Sequence, residues 1–393
     1  MRVCIVGGKL QGLEAVYLSK KAGFETILID RDPHAPAAAV ADEFHCQDII
    51  REKGIESLIK SADCVLPCNE NRETLIFLER LSKRVGIPYM QDNEAFWVSS
   101  NKNKARELFN SLSVPQPQQW PESGYPVIVK PATGSGSVGV HRADNEEQLK
   151  QAIKKSSSLD DELIIQKFIE GQALSLELIG LGKDPLPLQI IQLEFEENYG
   201  CKRVFAPDLA TEEERKKFVD ISVRIAKSLN LNGLMDSQAI VDDKGVPLMI
   251  EINARLPSQT PTVVYHSSGI NMVELLAKAF IKGKMPNINI KPRSAVIYQH
   301  IQIADGKIST RGEHIMSCAQ NLRIEKDFFG IDEVITNIEA GNATGVATLI
   351  AKDSSLERAK RKLSQAIRGL LEEFQLREFF ESTPGDMNDK THI

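Results

Sequence analysis

Apolar and polar positions alternate in blocks from the first residues of the chain. Residues 2–7 (RVCIVG) form an apolar run of strand length, 8–12 turn the chain, and 13–22 carry apolar residues at helical spacing before a second strand at 25–30. The alternation continues with DCVLP at 63–67, a helical pattern over 73–85 and a short strand at 87–90. Strands that are apolar throughout and separated by helices point to a parallel sheet covered on both faces. Residues 1–92 are therefore predicted to form a small doubly wound domain.

Beyond residue 93 the pattern changes. A helical stretch from 101 leads to VPQP at 114–117, and two strands, 126–131 and 138–142, flank a glycine-rich hairpin tip. A helix at 146–155 and a strand at 163–168 complete a lid-sized subdomain over about 114–170. Strand-rich 173–182 and 188–195, a helix at 212–229 and a hairpin over 233–253 fill the rest of a central region ending near 285. From 286 to 393 short strands and a last amphipathic helix at 356–374 predict an α+β region, whose polar tail ESTPGDMNDKTHI is expected to fray.

Composition narrows the function. Hydrophobic residues at 42% and charged residues at 26% suit a globular protein, and a net charge of −6 argues against a nucleic-acid partner held by phosphate attraction. An anionic ligand must then be gripped locally. The cysteines are scattered, and Cys64-x-x-x-Cys68 lacks the second half of a zinc site, so free thiols in a reducing compartment are the plain reading. No signal segment precedes the first strand and no run reaches membrane-spanning length, so no membrane contact and a cytoplasmic location are expected.

The glycine turn after the first strand, with Asp30 ending the second, is close to a dinucleotide fingerprint. Lys9 stands where backbone would have to approach a pyrophosphate, so a plain strand-to-helix turn is the better reading. A stronger signal follows. Lys130 ends a strand directly before Gly134, Ser135, Gly136, Ser137, Val138 and Gly139, a tip whose backbone N–H groups can face phosphate oxygens beside the lysine charge. The lysine precedes the glycines, so this is not a Walker loop; the bland alternative is a flexible hairpin.

The second signal is the hairpin GLMDSQAIV–VPLMIEINAR around the turn DDKG. Pairing Val241 with Val246 sets Asp236 directly opposite Glu251, with Asn253 and Arg255 on the face of Glu251. Opposed like charges destabilise a sheet, and two carboxylates with an amide suit Mg²⁺ shared with phosphates. The bland alternative is a solvated strand face.

Lys104, Lys130, the glycine loop, Gln166-Lys167-Phe168-Ile169, Glu177, Asp236 and Glu251-Ile-Asn253-Ala-Arg255 occur in the order of the ATP-grasp superfamily, which the chain resembles over about 93–285. That resemblance implies an ATP-grasp architecture: a doubly wound pre-ATP-grasp domain, a lid subdomain and a C-terminal α+β domain. It implies that Lys104 and Lys130 contact ATP phosphates and that the loop 134–139 closes over them. Residues 166–169 would hold adenine and Asp236, Glu251 and Asn253 Mg²⁺, while Glu177 would bind a ribose, play a structural role or serve as the base for the incoming amine. Gln166 replaces a common acidic hinge residue, and Asp236 is a methylene shorter than the usual glutamate, which leaves the number of metal ions open.

The opening MRVCIVGGKLQGLEA and the stretch ARLPSQTPTVVYHSSGIN are further similar to the amino-acid ligases of pyrrolysine biosynthesis. The implication is a carboxylate–amine ligase acting on small amino acids; its oligomeric state is left open, a homodimer being one candidate. A D-ornithine-type carboxylate would be phosphorylated and then captured by the side-chain amine of L-lysine. Lys130 and Arg255 would act on the reacting groups, Arg255 holding the carboxylate unless it is spent on Glu251. Gln11 and Arg72 would reach the lysine substrate, and Ser258, Thr260 and His266 the D-amino acid. The alternatives are a carboxylase using bicarbonate on the same framework, a non-catalytic ATP sensor that would keep the loop, and, less favoured, a nicotinamide-dependent dehydrogenase.

Overall fold

A computed structural model describes residues 1–288, 290–339 and 341–383. The N-terminal region runs β1 (Arg2–Val6), α1 (Leu10–Lys21), β2 (Glu25–Asp30), β3 (Glu43–Cys46), α2 (Ile55–Lys60), β4 (Cys64–Pro67) and α3 (Arg72–Val85). Its strands pair in the order β3-β2-β1-β4, all parallel, and Val3, Cys4, Ile5 and Val6 are buried on both faces of the sheet. This is the doubly wound sheet expected from the uninterrupted apolar runs. The opening turn is filled by the chain itself. A Cβ on Gly12 would fall 2.0 Å from the carbonyl oxygen of Gly7, and Asp30 accepts the N–H of Gly8 at 2.6 Å. The carboxylate a dinucleotide would need is thus occupied by the turn.

Two short helices, α4 (Asn93–Ser99) and α5 (Lys102–Ser111), tie this region to the rest. Asp92 caps α4 and also accepts the N–H of Asn232 at 2.8 Å. The lid follows as β5 (Val127–Pro131), β6 (His141–Ala143), α6 (Glu146–Ser156) and β7 (Leu163–Lys167), an antiparallel sheet in the order β6-β5-β7. The glycine loop is a hairpin tip, longer than expected because β6 starts at His141.

The remaining strands form one continuous sheet. They are β8 (Gln172–Leu181), β9 (Lys183–Phe195), β10 (Cys201–Ala206), β11 (Asn232–Val241), β12 (Pro247–Asn253), β13 (Ala295–Ala304), β14 (Lys307–Thr310), β15 (Arg323–Phe328), β16 (Ile331–Thr336), β17 (Gly345–Asp353) and β18 (Phe379–Phe380). The order is β12-β11-β8-β9-β10-β13-β17-β16-β15, with β14 on β13 and β18 on β14. Pairing of β10 with β13 carries the central sheet into the C-terminal strands, so the two regions share a sheet. Its helices are α7 (Glu212–Ser228), α8 (Thr260–Ser268), α9 (Met272–Lys282), α10 (His314–Ser317) and α11 (Leu356–Glu373). α11 buries Ala359, Leu363, Ala366, Ile367 and Leu370, one stripe at helical spacing, against β17 and β13.

Two expectations are corrected. In the β11–β12 hairpin Asp236 pairs with Asn253 and Gln238 with Glu251, so the two carboxylates are diagonal neighbours, not directly opposed. The cause is local: Asp242 accepts from Lys244 and Val246 in a turn closed by Asp242 and Val246, and Ile250 is left as a bulge between Met249 and Glu251. The tail is also anchored further than expected. β18 pairs with β14, and buried Ser382 donates its N–H to Thr310 Oγ1 at 2.9 Å; residues 384–393 lie outside the described residues.

Candidate active site

A cleft of about 850 Å³ separates the lid from the β11–β12 hairpin and is closed at one end by the loop 255–260 and Glu313. The bulge at Ile250 serves it directly. The carbonyl of Ile250 lies 3.5 Å from Lys130 Nζ, on the far wall. Lys130 is 5% exposed, and burial depresses its ammonium to about 8 despite the attraction of Glu251. A buried cation with one long hydrogen bond is suited to receive an anion.

The expected second lysine lies outside the cleft. Asn101 caps α5 and fixes its phase, so Lys102, not Lys104, faces the cleft, its Nζ donating to Gly134 O at 2.8 Å. Lys104, two residues on and about 200° round the helix, is exposed outside it. The loop itself is built as predicted: Gly134, Gly136, Ser137 and Gly139 all have positive φ. Thr133 anchors its base through Asp160, and Ser135 reaches Glu70 at 3.2 Å. Ser135, Gly136, Ser137 and Val138 line the cleft, as do Gln166, Lys167, Phe168 and Ile169 at the opposite end of the lid. There Arg142 covers one face of Phe168, 4.4 Å from the ring centre.

On the hairpin, Asp236, Glu251 and Asn253 share the cleft face. Asp236 Oδ2 accepts from Gln238 at 2.9 Å and from Asn253 at 3.3 Å, and Asn253 Nδ2 also reaches Glu251 Oε1 at 3.3 Å. Asp236 Oδ1 is buried without a hydrogen-bond partner. Burial pushes Asp236 up to about 6, whereas for Glu251 the nearby Lys102 and Lys130 outweigh burial and hold it below the usual range. Among the described residues no three His, Cys, Asp or Glu side chains are grouped to hold a metal. Two carboxylates and an amide are nevertheless the donor set of Mg²⁺ completed by phosphates, and the unpartnered Oδ1 fits that use. The amide of Asn253, which now bridges the carboxylates through nitrogen, would turn over to present its oxygen.

Glu177 does not line the cleft. It pairs with Asp236 across β8 and β11, is fully buried, and is raised by burial and by that neighbour, so it lies behind Asp236 within the sheet. Arg255 is not spent on Glu251: its Nε donates to Glu70 at 3.0 Å, and the same carboxylate accepts from Gln11 at 3.0 Å. Gln11 thus stands behind the cleft, joined to its wall through Glu70. Arg72 does not line the cleft; it is exposed at the start of α3 with its guanidinium 4.5 Å from the Trp97 ring centre. His266 does not line the cleft either: it belongs to a network with Tyr17, at 2.7 Å, and Glu333. Ser258 and Thr260 do line the cleft.

Sequence reasoning missed Lys102, Glu70, Gln259 and Glu313. Glu70 was legible, lying in CNEN at the carboxyl edge of β4, where Arg72 was preferred. Glu313 arrives from the C-terminal strands with no local motif to mark it.

A three-stranded lid over a carboxylate-bearing hairpin, with two lysines across the cleft, defines an enzyme of the ATP-grasp class. The ATP-grasp domain matches residues 99–259, and the PylC-like N-terminal domain matches 3–90. The chain is 37% identical over 319 residues to the 3-methyl-D-ornithine–L-lysine ligase of Methanosarcina acetivorans, covering 80% of this chain and 84% of the relative. It is 39% identical over 317 residues to that of Methanosarcina barkeri, with the same coverage. The chain belongs to the family of 3-methyl-D-ornithine–L-lysine ligases. Among solved structures, the biotin carboxylase domain of Hydrogenobacter thermophilus 2-oxoglutarate carboxylase, a dimer with MgADP and bicarbonate, superposes with a TM-score of 0.72 at 18% identity, covering 93% of this chain and 89% of that one. L-amino acid ligase from Bacillus licheniformis gives 0.66 at 17% identity, covering 95% and 97%. At these identities the likeness is one of fold.

Proposed function

We propose that the chain joins the carboxylate of 3-methyl-D-ornithine to the side-chain amine of L-lysine, consuming ATP and releasing ADP and phosphate. The observation that carries this reading is the meeting of Lys102, Lys130, the glycine loop, the Asp236–Glu251–Asn253 face and Arg255 around one cleft. The named activity of the relatives, 37–39% identical, supplies the substrate pair.

The chemistry follows from the placement. Residues 166–169 take the base, and the lysines and loop amides take the phosphates. Asp236, Glu251 and Asn253 would hold Mg²⁺, which neutralises phosphate charge when bound. A carboxylate oxygen of the first amino acid, oriented by Arg255, attacks the terminal phosphorus and ADP leaves. In the acyl phosphate so formed, the neutral amine of lysine attacks the acyl carbon, the acyl C–O bond breaks, phosphate departs carrying the former carboxylate oxygen, and the nitrogen loses a proton. An ordinary lysine amine has a pKa of about 10.4, so the cleft must bind its minor neutral form or accept its proton.

Several further points belong to the proposal. The free cysteines support a cytoplasmic setting, and among the described residues no helix is long and apolar enough to cross a membrane. Assembly as a homodimer has its support in a solved neighbour that is a dimer. The decisive test is mass spectrometry of products from ATP with candidate pairs. A dipeptide-like amide formed only with the D-ornithine-type acid and L-lysine is expected; phosphate release driven by bicarbonate alone would overturn the reading.

A further inference from the structure

At the closed end of the cleft, Gln259 is held in an unusual state. Its backbone has φ +71° and ψ −58°, a conformation costly for a residue with a side chain, and it is only 4% exposed. Its Nε2 donates to Glu313 Oε2, which also accepts from Ser258 Oγ at 2.8 Å. Its Oε1 is buried and accepts from nothing among the described residues. The amide is not reversed, because turning it over would set two acceptors, the amide oxygen and the carboxylate, against each other.

The surroundings define what would satisfy this oxygen. Glu313 and Gln259 both line the cleft, and a Cβ on Gly136 would lie 3.9 Å from Glu313 Oε1, so the lid loop reaches down to the carboxylate. The N-terminus of α8 is no anion site here, since Glu14 takes the N–H of Thr262 at 2.7 Å. Gln259 Oε1 and the Glu313 carboxylate are both acceptors, and one carries negative charge; Thr260 Oγ1 beside them, also buried without a partner among the described residues, can donate or accept. A carboxylate or phosphate is repelled, an apolar group leaves Oε1 unpaired, and a protonated amine satisfies both.

We infer that Gln259 and Glu313 together form the receptor for an ammonium group of the diamino acid whose carboxylate is activated. They thereby act as specificity determinants beside Arg255. The inference rests on the proposed ligase reading and adds to it the residues that distinguish a diamino acid from a simple one. Arg255 lies in the field of Glu313 as well as Glu70, so carboxylate and ammonium are bound by neighbouring opposite charges.

The test compares Glu313→Gln and Gln259→Leu with the wild type, using D-ornithine, 5-aminopentanoate, which lacks the α-amine, and D-norvaline, which lacks the side-chain amine. In each variant the KM for D-ornithine should rise at least about tenfold, with the KM for ATP unchanged within about twofold. The wild-type preference for D-ornithine over one of the two analogues should collapse, and that analogue identifies the ammonium received. Equal losses on all three acids, or unchanged discrimination, overturn the inference. Should Glu313→Gln fail to fold, Gln259→Leu and Ser258→Ala carry the same comparison. Absence of any amide product from the wild type would instead sink the ligase reading itself.

Discussion

Arg255 at the end of the β11–β12 hairpin donates through Nε to Glu70 of the N-terminal domain, 3.0 Å away. Glu70 also holds Gln11 and the lid residue Ser135, so one carboxylate joins the opening helix, the lid tip and the arginine proposed to orient substrate. Arg255→Ala should lower kcat/KM for the activated acid by about 10²–10³, the size of a lost oxyanion or carboxylate donor. Melting should change little, because Glu70 is a third exposed and stays solvated. Steady-state kinetics beside a thermal melt check both halves, and full activity in Arg255→Ala would remove the assigned role.

The exchange of Lys104 for Lys102 gives a paired prediction. Lys102→Met should weaken ATP binding by about tenfold or more, since it removes a cation from the phosphate end of the cleft. Lys104→Met should leave ATP affinity and turnover unchanged, because its side chain is exposed away from the cleft. Nucleotide titration of the two variants decides. The reverse result would restore Lys104 and put the phase of α5 in doubt.

How much could be read in advance is clearest at these residues. The strand containing Lys130 and the glycine tip were legible because local composition dictates a strand followed by a left-handed turn. The face of Glu251 and Asn253 was legible from alternation alone. Register was not, because it depended on the Asp242 turn and on a bulge at Ile250 that no apolar pattern announces. Nor was the phase of α5, which a single cap at Asn101 sets. His266 was misplaced for a different reason. Its partners, Tyr17 and Glu333, are brought to it from opposite ends of the chain by tertiary packing.

That network sets a pH dependence. Burial opposes ionisation of Glu333, but hydrogen bonds from His266, Lys21 and Tyr17 outweigh it and bring the carboxyl down to about 2 from its ordinary 4.5. A depressed acid stabilises the fold in full above its ordinary value and loses that contribution as pH falls from about 4.5 towards 2. The contribution is of the order of 3 kcal/mol. Glu333→Gln should therefore be less stable than the wild type near neutrality, with the gap narrowing steadily below pH 4.5. Denaturant melts across that range measure it, and a constant gap would show that Glu333 acts by shape alone.

The metal face gives the last prediction, and the corrected register changes its argument. Asp236 is not opposed to Glu251; it lies beside the buried Glu177, whose carboxyl is raised by burial and by Asp236 itself. Its own Oδ1 has no hydrogen-bond partner. Asp236→Asn removes the buried charge and places a donor or neutral oxygen there, so the apo protein should gain about 1 kcal/mol. The same change should raise the Mg²⁺ concentration needed for nucleotide binding, since one anionic oxygen donor is lost. Glu251→Gln should raise that requirement too, yet without the gain in stability, because Lys102 and Lys130 already favour its charged form. Apo melts and Mg²⁺ titrations of ATP binding separate the two effects. A stabilised Asp236→Asn with an unaltered Mg²⁺ requirement would keep the burial argument and remove Asp236 from the metal site.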